Sequence, residues 1–225
     1  MRIRWFGQSS FLLSGESDVF IDPFGDMSAA AARGLVFDYP PIDGVEADLL
    51  LVTHEHGDHN AVDVIGGSPA VIRSTAGRFE SPVGEVVGIA SEHDEAAGTQ
   101  RGGNVIFVFT LDGLRIAHFG DFGQPALRPE QHEALGDVDV LIVPVGGGPT
   151  TGGAPAAELV RRVAPRLVVP MHYRTDQIGF LEPPDAFLEA LGARVERLDD
   201  SEAEVEALLG SRDDPTVALL GSPRR

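Results

Sequence analysis

The sequence predicts one α+β domain in which two β-sheets pack face to face and helices cover the outside. Short strand-like segments dominate the first part of the chain, helical periodicity is concentrated later, and the two do not alternate as a regular parallel sheet requires. At 225 residues the chain is long enough for one domain, residues 1–225, with a sizeable core. Its 43% apolar content is ordinary for a globular protein.

The N-terminal region predicts three short strands separated by glycines. They are Met1 to Phe6, Ser10 to Ser14 and Val19 to Ile21. Asp22 follows the third strand, where an aspartate either forms a turn or accepts a hydrogen bond from a metal-binding histidine; the residues alone leave both roles open. The alanine-rich segment Met27 to Leu35 indicates a short helix or a flap.

The apolar run Leu49 to Thr53 predicts a buried strand that leads into a loop rich in metal ligands. The four potential ligands in this loop are His54, His56, Asp58 and His59. Residues two apart in an extended segment point the same way, so the first two histidines can bind one ion together. Ligands that leave one loop in different directions suit two neighbouring ions better than one. A histidine-rich surface loop is the alternative, but three of the seven histidines of the chain fall here, which favours metal binding.

Asn60 is a good helix N-cap, and Asp63 suits the first turn of a short helix predicted from Ala61. Further along, amphipathic helices are predicted over Pro155 to Val163, Pro184 to Leu191 and Glu202 to Leu209. The remaining predicted strands are Ala70 to Arg73, Glu85 to Ala90, Asn104 to Leu111, Leu114 to Phe119, Val138 to Val145, Leu167 to Pro170, Arg194 to Leu198 and Thr216 to Leu220.

Composition excludes several kinds of chemistry. The chain has no cysteine, which excludes disulfides and thiolate nucleophiles and disfavours a structural zinc site. All 17 basic residues are arginine, so P-loop and Schiff-base lysines are excluded too. A formal charge of −18 argues against nucleic acid or an anionic membrane as partner. No long apolar segment follows the N-terminus, so we expect neither a signal peptide nor a membrane span, and a cytoplasmic protein.

The histidine-rich loop resembles the first motif of the metallo-β-lactamase superfamily, and weaker motifs follow in the order typical of that family. They are Ile21-Asp22-Pro23, Ser91-Glu92-His93-Asp94, Gly120-Asp121, Pro144-Val145-Gly146-Gly147 and Pro170-Met171-His172-Tyr173. Together they look like the branch of small single-domain hydrolases that contains the ascorbate-6-phosphate lactonases. The resemblance implies the metallo-β-lactamase fold, a four-layer αββα sandwich of two mixed sheets flanked by helices.

The resemblance also implies a binuclear metal site. His54, His56 and His93 would hold one ion, and Asp121 would bridge it to the second. The second ion would be held by Asp58, His59 and His172. Two divalent ions outweigh the two carboxylates and a bridging hydroxide, so the site would stay electropositive and attract an anionic or polarised substrate. The hydroxide would be the nucleophile, and Asp58 would carry a proton to the leaving group.

These residues predict a metal-dependent hydrolase acting on a small ester, lactone or phosphoester. Zinc suits the donors best, although manganese, iron or nickel would also suit them. The alternatives are a non-catalytic metal-binding or scaffolding protein that retains the fold, and a nuclease of the same fold, which the acidic charge disfavours. A flavodiiron-like oxidoreductase would need a flavin domain for which no residues remain. The expected partner is a small-molecule substrate, and a homo-oligomer stays open.

Two histidines compete as the third ligand of the first ion. His118 lies inside a predicted strand, so it and Asp121 should not both point to the strand tip. His93 comes just past a strand end and has the order that the family motif implies. We therefore predict that His93 binds metal and that His118 packs beside the site.

A few other residues support weaker predictions. Gln8 stands where many relatives have histidine, which bears on substrate contacts rather than on the metal site. Gly146 to Gly153 is either a substrate-lining loop or a flexible connection. Tyr173 and Arg174 are candidates for substrate contact, and His132 is expected at the surface.

Overall fold

The computed structural model describes residues 1–31 and 34–224. Within these residues the strands form one sheet of six and one sheet of eight. The six-stranded sheet contains β1 (Arg2–Gly7), β2 (Ser10–Ser14), β3 (Asp18–Ile21), β4 (Leu49–Val52), β5 (Ala70–Arg73) and β13 (Glu202–Glu204). The eight-stranded sheet contains β6 (Gly77–Ser81), β7 (Gly84–Glu92), β8 (Gly103–Leu111), β9 (Leu114–His118), β10 (Val140–Pro144), β11 (Leu167–Met171), β12 (Arg194–Arg197) and β14 (Thr216–Leu219).

Both sheets are mixed. The first has the strand order β13-β1-β2-β3-β4-β5, and its last three strands are parallel to one another. The second has the order β12-β14-β11-β10-β9-β8-β7-β6, with antiparallel pairing from β6 to β9 and parallel pairing from β9 to β12. The predicted α+β class with two mixed sheets is therefore confirmed.

The main core lies between the two sheets and contains apolar side chains from both. Strand β4 shows how the sequence produces this arrangement, because successive side chains of a strand point to opposite faces. Leu49 and Leu51 join the inter-sheet core, whereas Leu50 points to a second cluster on the outer face of the first sheet. That outer cluster includes Tyr39 and Ile42, so the segment that precedes β4 covers the first sheet.

The helices lie outside the sheets, as predicted. They are α1 (Ser28–Ala31), α2 (Pro129–Leu135), α3 (Gly153–Val163) and α4 (Asp185–Leu191). The face of α3 that carries Leu159 and Val160 is buried, as the helical periodicity predicts. Within the described residues, no helix has both the length and the apolar character needed to cross a membrane.

Several predicted elements differ from the structure. The helix predicted over Glu202 to Leu209 is wrong: Glu202–Glu204 pairs with β1, and only a 3-10 turn over Val205–Ala207 follows. Burial of the Val205 side chain and pairing with β1 override the local helical pattern. Strand β6 and helix α2 were not predicted.

The helix predicted from Ala61 is only a 3-10 turn over Val62–Val64, and Asn60 does not cap it. Instead, the Asn60 side-chain amide donates a hydrogen bond to the backbone oxygen of Glu55, 3.0 Å away. Of the alanine-rich segment from Met27 to Leu35, the structure shows the short helix α1; residues 32 and 33 lie outside the described residues.

Candidate metal centre

The candidate ligands lie at one edge of the sheets, where several strands end. Strand β4 leads into the loop of residues 53–60. Strands β7 and β11 end directly before His93 and His172, and β9 ends three residues before Asp121. Strands β7 and β9 are both antiparallel to β8, and β9, β10 and β11 are parallel to one another. Because strands that run in one direction have their carboxyl ends at the same edge, the topology brings these distant residues together.

His54, His56 and His93 form the first group of candidate ligands. One ligand atom of each lies within 4.8 Å of those of the other two. Nε2 of His54 is 2.9 Å from Nδ1 of His56. His54 and His93 are buried, with exposed fractions of 4% and 1%, whereas His56 lies nearer the surface. Three imidazole nitrogens at this spacing can bind one metal ion.

Asp121 lies between this group and the remaining candidates. Its Oδ2 atom is 3.0 Å from Nε2 of His93 and 3.4 Å from Nε2 of His172. Its Oδ1 atom is 3.4 Å from Nε2 of His59. The same nitrogen of His59 is 3.6 Å from Oδ2 of Asp58. All seven predicted ligands therefore meet at one place, with the Asp121 carboxylate facing both groups.

Four of the clustered histidines present one ring nitrogen to the cluster and bond the other to the surrounding protein. The outer Nδ1 atoms lie 3.1 Å from Thr53 Oγ1 for His54, 2.9 Å from Asp22 Oδ2 for His59, 3.0 Å from the Pro149 oxygen for His93 and 3.4 Å from Thr150 Oγ1 for His172. Such outer contacts fix the orientation of metal-binding imidazoles.

The donor set fits divalent metal ions. Nε2 of His59 is buried, and it has no hydrogen-bond partner among the described residues. Buried polar atoms are normally satisfied, so a partnerless imidazole nitrogen aimed at carboxylates indicates a missing electrophile. Imidazoles and carboxylates without thiolates suit zinc, manganese, iron and nickel.

The charges of the cluster reinforce this fit. Burial works to raise the pKa of Asp121, but the charges of His172 and His59 hold it well below its usual range. Burial, together with the neighbouring charge of His59, lowers the pKa of His54 to about 2. Burial opposes the protonation of His59, yet Asp121 and Asp58 raise its pKa well above the usual value. The carboxylates thus attract positive charge, while the crowded imidazoles cannot all carry protons.

Asp22 connects the third strand to this centre. Its carboxylate accepts hydrogen bonds from the backbone N–H and the hydroxyl of Thr53, each at 2.7 Å, and lies 2.9 Å from Nδ1 of His59. Of the two roles that the residues left open, the structure supports that of an acceptor which orients a histidine. The residue has a left-handed backbone with φ of 52°, and His172 has φ of 51°.

The turn Gly7–Ser10 is a part of the site that sequence reasoning did not connect to the candidate ligands, since Gln8 was expected to bear on substrate contacts rather than on the metal site. The side-chain amide of Gln8, a buried residue with φ of 49°, donates to Oδ2 of Asp58 at 3.3 Å. The hydroxyl of Ser9 donates to Oδ1 of Asp121 at 3.2 Å. The available signal was a run of small polar residues between two apolar strands. The turn therefore holds both carboxylates.

The glycine-rich segment Gly146 to Gly153 has a structural role beyond the two alternatives predicted for it, a substrate-lining loop or a flexible connection. It supplies the Pro149 oxygen and the Thr150 hydroxyl that lie beside the outer nitrogens of His93 and His172. The segment thus orients one candidate ligand from each group. Whether it also contacts substrate stays a prediction.

His118 is separated from the candidate ligands by its hydrogen bonds. Its Nδ1 atom accepts from the backbone N–H of Gly120 at 3.1 Å, so Nε2 carries the proton and donates to the oxygen of Ser9 at 3.0 Å. Both ring nitrogens are thereby used by the backbone. This geometry agrees with a packing role for His118, whereas His93 faces Asp121.

Three minor predictions have clear structural outcomes. His132 is exposed, as predicted. Tyr173 is largely buried, with its ring 5.4 Å from that of Trp5, so its main contact is with the core. The guanidinium of Arg174 donates to the backbone oxygen of Leu181 at 2.6 Å, which holds the loop that follows His172.

A cavity of about 480 Å³ opens beside the first group of candidate ligands. His54 and His56 line one side of it, and residues from the ends of β5, β7 and β8 line the rest. Asp58, Asp121 and His172 do not line this cavity. Of the described candidate ligands, His54 and His56 are those that line this cavity.

Comparison with known proteins identifies relatives over most of the chain. The 32% identity to a UPF0173 metal-dependent hydrolase of Thermococcus kodakarensis covers 87% of this chain and 94% of the relative. A metal-dependent hydrolase of Archaeoglobus fulgidus is 30% identical, with 86% and 92% covered.

Solved structures show the same architecture. A Thermotoga maritima protein assigned as a Zn-dependent hydrolase of the metallo-β-lactamase superfamily superposes with a TM-score of 0.75 at 29% identity, covering 97% of each chain. An isothiocyanate hydrolase from Delia radicum gut bacteria, with a TM-score of 0.62 at 14% identity and 85% and 92% covered, shares the fold alone. The model of the beta-lactamase superfamily domain matches residues 2–172. With that match and the close structural likeness, the chain belongs to the metallo-β-lactamase superfamily.

Proposed function

We propose that the protein is a binuclear metal-dependent hydrolase that cleaves a small ester, lactone or phosphoester. The observation that carries the proposal is the convergence of the predicted ligands in two adjoining groups. The second group contains the buried Nε2 atom of His59, which has no hydrogen-bond partner among the described residues. The names of the relatives from Thermococcus kodakarensis and Archaeoglobus fulgidus support metal-dependent hydrolysis as the class of reaction.

Two sets of residues would hold the ions. His54, His56 and His93 would bind the first. The second would be bound by Asp58, His59 and His172, and Asp121 would contact both. Zinc is the proposed metal because nitrogen and carboxylate donors in an open site suit it.

Bound ions of this kind supply Lewis acidity and lower the pKa of water toward neutrality. The residues of the chain orient the reaction around them. Asp121 is only 3% exposed and faces both groups, so it is suited to binding. Asp58 is partly exposed and accepts a hydrogen bond from Gln8, so its carboxylate is suited to passing a proton to the leaving group.

The charge of the chain also bears on its surroundings. We propose a small-molecule substrate and neither nucleic acid nor membrane as partner, because the net charge of −18 repels both. A cytoplasmic location is consistent with this proposal.

Metal content tests the binuclear part of the proposal. Protein loaded with excess zinc or manganese and then desalted should contain two ions per chain by elemental analysis. His132→Ala is the matched control, since it removes an exposed histidine outside the cluster and should leave both ions bound. One ion or none in the loaded protein would contradict the binuclear arrangement.

Turnover tests the hydrolase itself. The loaded protein should hydrolyse at least one member of a panel of small esters, lactones and phosphodiesters, and Asp121→Ala should abolish the signal. Absence of turnover across the panel would favour the non-catalytic scaffold. Cleavage of an RNA substrate without small-molecule turnover would favour the nuclease.

A further inference from the structure

We propose that Asn104 is a positioning residue for Asp121, which it holds through the backbone of the turn that presents this carboxylate to both groups of candidate ligands. The inference rests on the proposed function, because it concerns the residue that would contact both ions. It adds to the site a residue of β8, a strand that supplies none of the seven predicted ligands.

The first observation is that the backbone pairing of β8 with β9 ends just before Asp121. The last pair of this antiparallel ladder is Phe107 with His118. If the same register continued for three more residues, Asn104 would stand opposite Asp121. Beyond the last pair, the turn that presents Asp121 therefore depends on other contacts with β8.

The side-chain amide of Asn104 makes those contacts. Its Nδ2 atom donates to the backbone oxygen of Phe119 at 2.8 Å, and its Oδ1 atom accepts from the backbone N–H of Asp121 at 3.0 Å. One carboxamide thus binds the peptide groups on both sides of Gly120, as a neighbouring strand would. Asn104 is only 2% exposed, and Nδ2 also donates to Oγ of Ser91 at 2.8 Å, so both of its amide hydrogens are used inside the protein.

Gly120 shows how closely the turn is enclosed. It has left-handed backbone with φ of 53°. A Cβ atom added to it would collide with Oδ1 of Asn104 and would lie 2.7 Å from Oγ1 of Thr53. Thr53 is itself bonded to β8, because its oxygen accepts from the backbone N–H of Val105 at 3.0 Å. Asn104 and Thr53 therefore confine the turn from the two sheets, which fixes Asp121 relative to both.

The placement of the Asp121 carboxylate matters for both groups of candidate ligands. Its Oδ2 atom lies 3.0 Å from Nε2 of His93, and its Oδ1 atom lies 3.4 Å from Nε2 of His59. The hydroxyl of Ser9 holds the carboxylate itself, whereas Asn104 holds the backbone from which it extends. A shift of the turn would move the carboxylate relative to both groups at once.

The affinity of the folded protein for zinc tests the proposal, measured by competition with a chromophoric chelator. Asn104→Ala removes both bonds to the turn. The affinity for the less tightly bound ion should then fall about 10-fold, within the range of outer contacts that orient metal ligands. A merely structural role would lower the free energy of unfolding and leave the zinc affinity of the folded protein unchanged.

Asn104→Thr is the milder variant. Threonine suits a strand, and its hydroxyl can replace one of the two bonds to the turn. The zinc affinity of this variant should therefore lie between that of the wild type and that of Asn104→Ala. If Asn104→Ala does not fold, Asn104→Thr decides the question, because an affinity equal to that of the wild type would contradict the proposal.

Ser91→Ala is the matched control. Ser91 stands opposite Asn104 in the pairing of β7 with β8, is similarly buried, and bonds to the Asn104 amide without touching the turn. This variant should keep the wild-type zinc affinity. Unchanged affinity in both Asn104 variants would overturn the proposal, as would an equal loss in Ser91→Ala. Either result leaves turnover by the wild-type protein as evidence for the hydrolase. Conversely, zinc affinity that depends on Asn104 in a protein without turnover of any substrate would refute only the hydrolase.

Discussion

The two sheets contribute to the candidate metal centre in different ways. The six-stranded sheet supplies its candidate ligands from one short loop after β4: His54, His56, Asp58 and His59. The eight-stranded sheet supplies single residues from three strand ends far apart in sequence: His93, Asp121 and His172. The first contribution depends on local spacing, whereas the second depends on tertiary topology. A centre built in this way cannot form until both sheets have assembled.

The candidate ligands from the two sheets are also held in place in different ways. Outside the cluster, Glu55 anchors the loop after β4 through Arg73, Ser74 and the side chain of Asn60. The two histidines of the second sheet, His93 and His172, are oriented from a separate segment, Gly146 to Gly153. The carboxylate of Asp121 faces candidate ligands from both sheets, so the replacement of Asp121 should have the largest effect on activity.

Asp121→Ala should reduce activity more than Asp22→Ala does. Asp121 faces ligands from both sheets, whereas Asp22 orients only His59 and Thr53. We expect a loss of roughly 10–100-fold for Asp22→Ala, the scale of an orienting contact. Steady-state kinetics of both variants at saturating metal measures the difference. Equal losses would show that the carboxylate of Asp121 does not join the two contributions.

His93→Ala should release one ion, while His118→Gln should retain most of the metal. His93 lies 3.0 Å from Asp121 through Nε2, whereas both nitrogens of His118 bond to the backbone. Elemental analysis of the desalted variants should therefore give about one ion for His93→Ala, half the predicted content. Loss of metal from His118→Gln with retention in His93→Ala would reverse the assignment.

Gln8→Ala should lower turnover about 10-fold without releasing metal. The amide of Gln8 holds Asp58 at 3.3 Å, and a hydrogen bond to a charged group contributes roughly 1.5–3 kcal/mol at ideal geometry. Turnover and metal content measured on the same preparation separate a positioning role from a binding role. If metal is lost in parallel with turnover, the role of Gln8 is instead to stabilise metal binding.

Arg73→Gln should have the smallest effect, a loss of about 0.5–1 kcal/mol in the free energy of unfolding at pH 7, because both charged side chains are half exposed. Hydrogen bonds from Arg73, which contributes most, and from Ser74 and Asn60 lower the pKa of Glu55 to about 2. The contribution is thus fully present above the ordinary glutamate pKa of about 4.5 and is lost as the pH falls toward 2. Urea unfolding of the metal-free wild type and variant across this pH range should show that the difference between their free energies of unfolding decreases as the pH falls. A difference independent of pH would exclude the ion pair as its cause.

The same contrast between the sheets explains what could be predicted from sequence. The ligands in the loop after β4 could be predicted because the alternation of side chains in an extended segment, followed by a turn, places them by local geometry. His93 and His172 required the resemblance to a family, since no local rule places residues 79 apart beside one Asp121. The role of the turn at Gln8 was missed because its hydrogen bonds reach residues far away in the sequence. The helix predicted over Glu202 to Leu209 failed for the same reason: pairing with β1 is a tertiary effect.

Left-handed backbone at Gln8 and His172 has a consequence for the evolution of the protein. Residues other than glycine lose stability in this conformation. Here Gln8 bonds to the candidate ligand Asp58, and His172 is itself a candidate ligand. Selection for activity must therefore maintain them against a steady gain in stability from glycine. In a descendant released from catalysis, these two positions would drift toward glycine before the apolar core changed. The residue types at these two positions would then indicate when a lineage lost its activity while its fold was still intact.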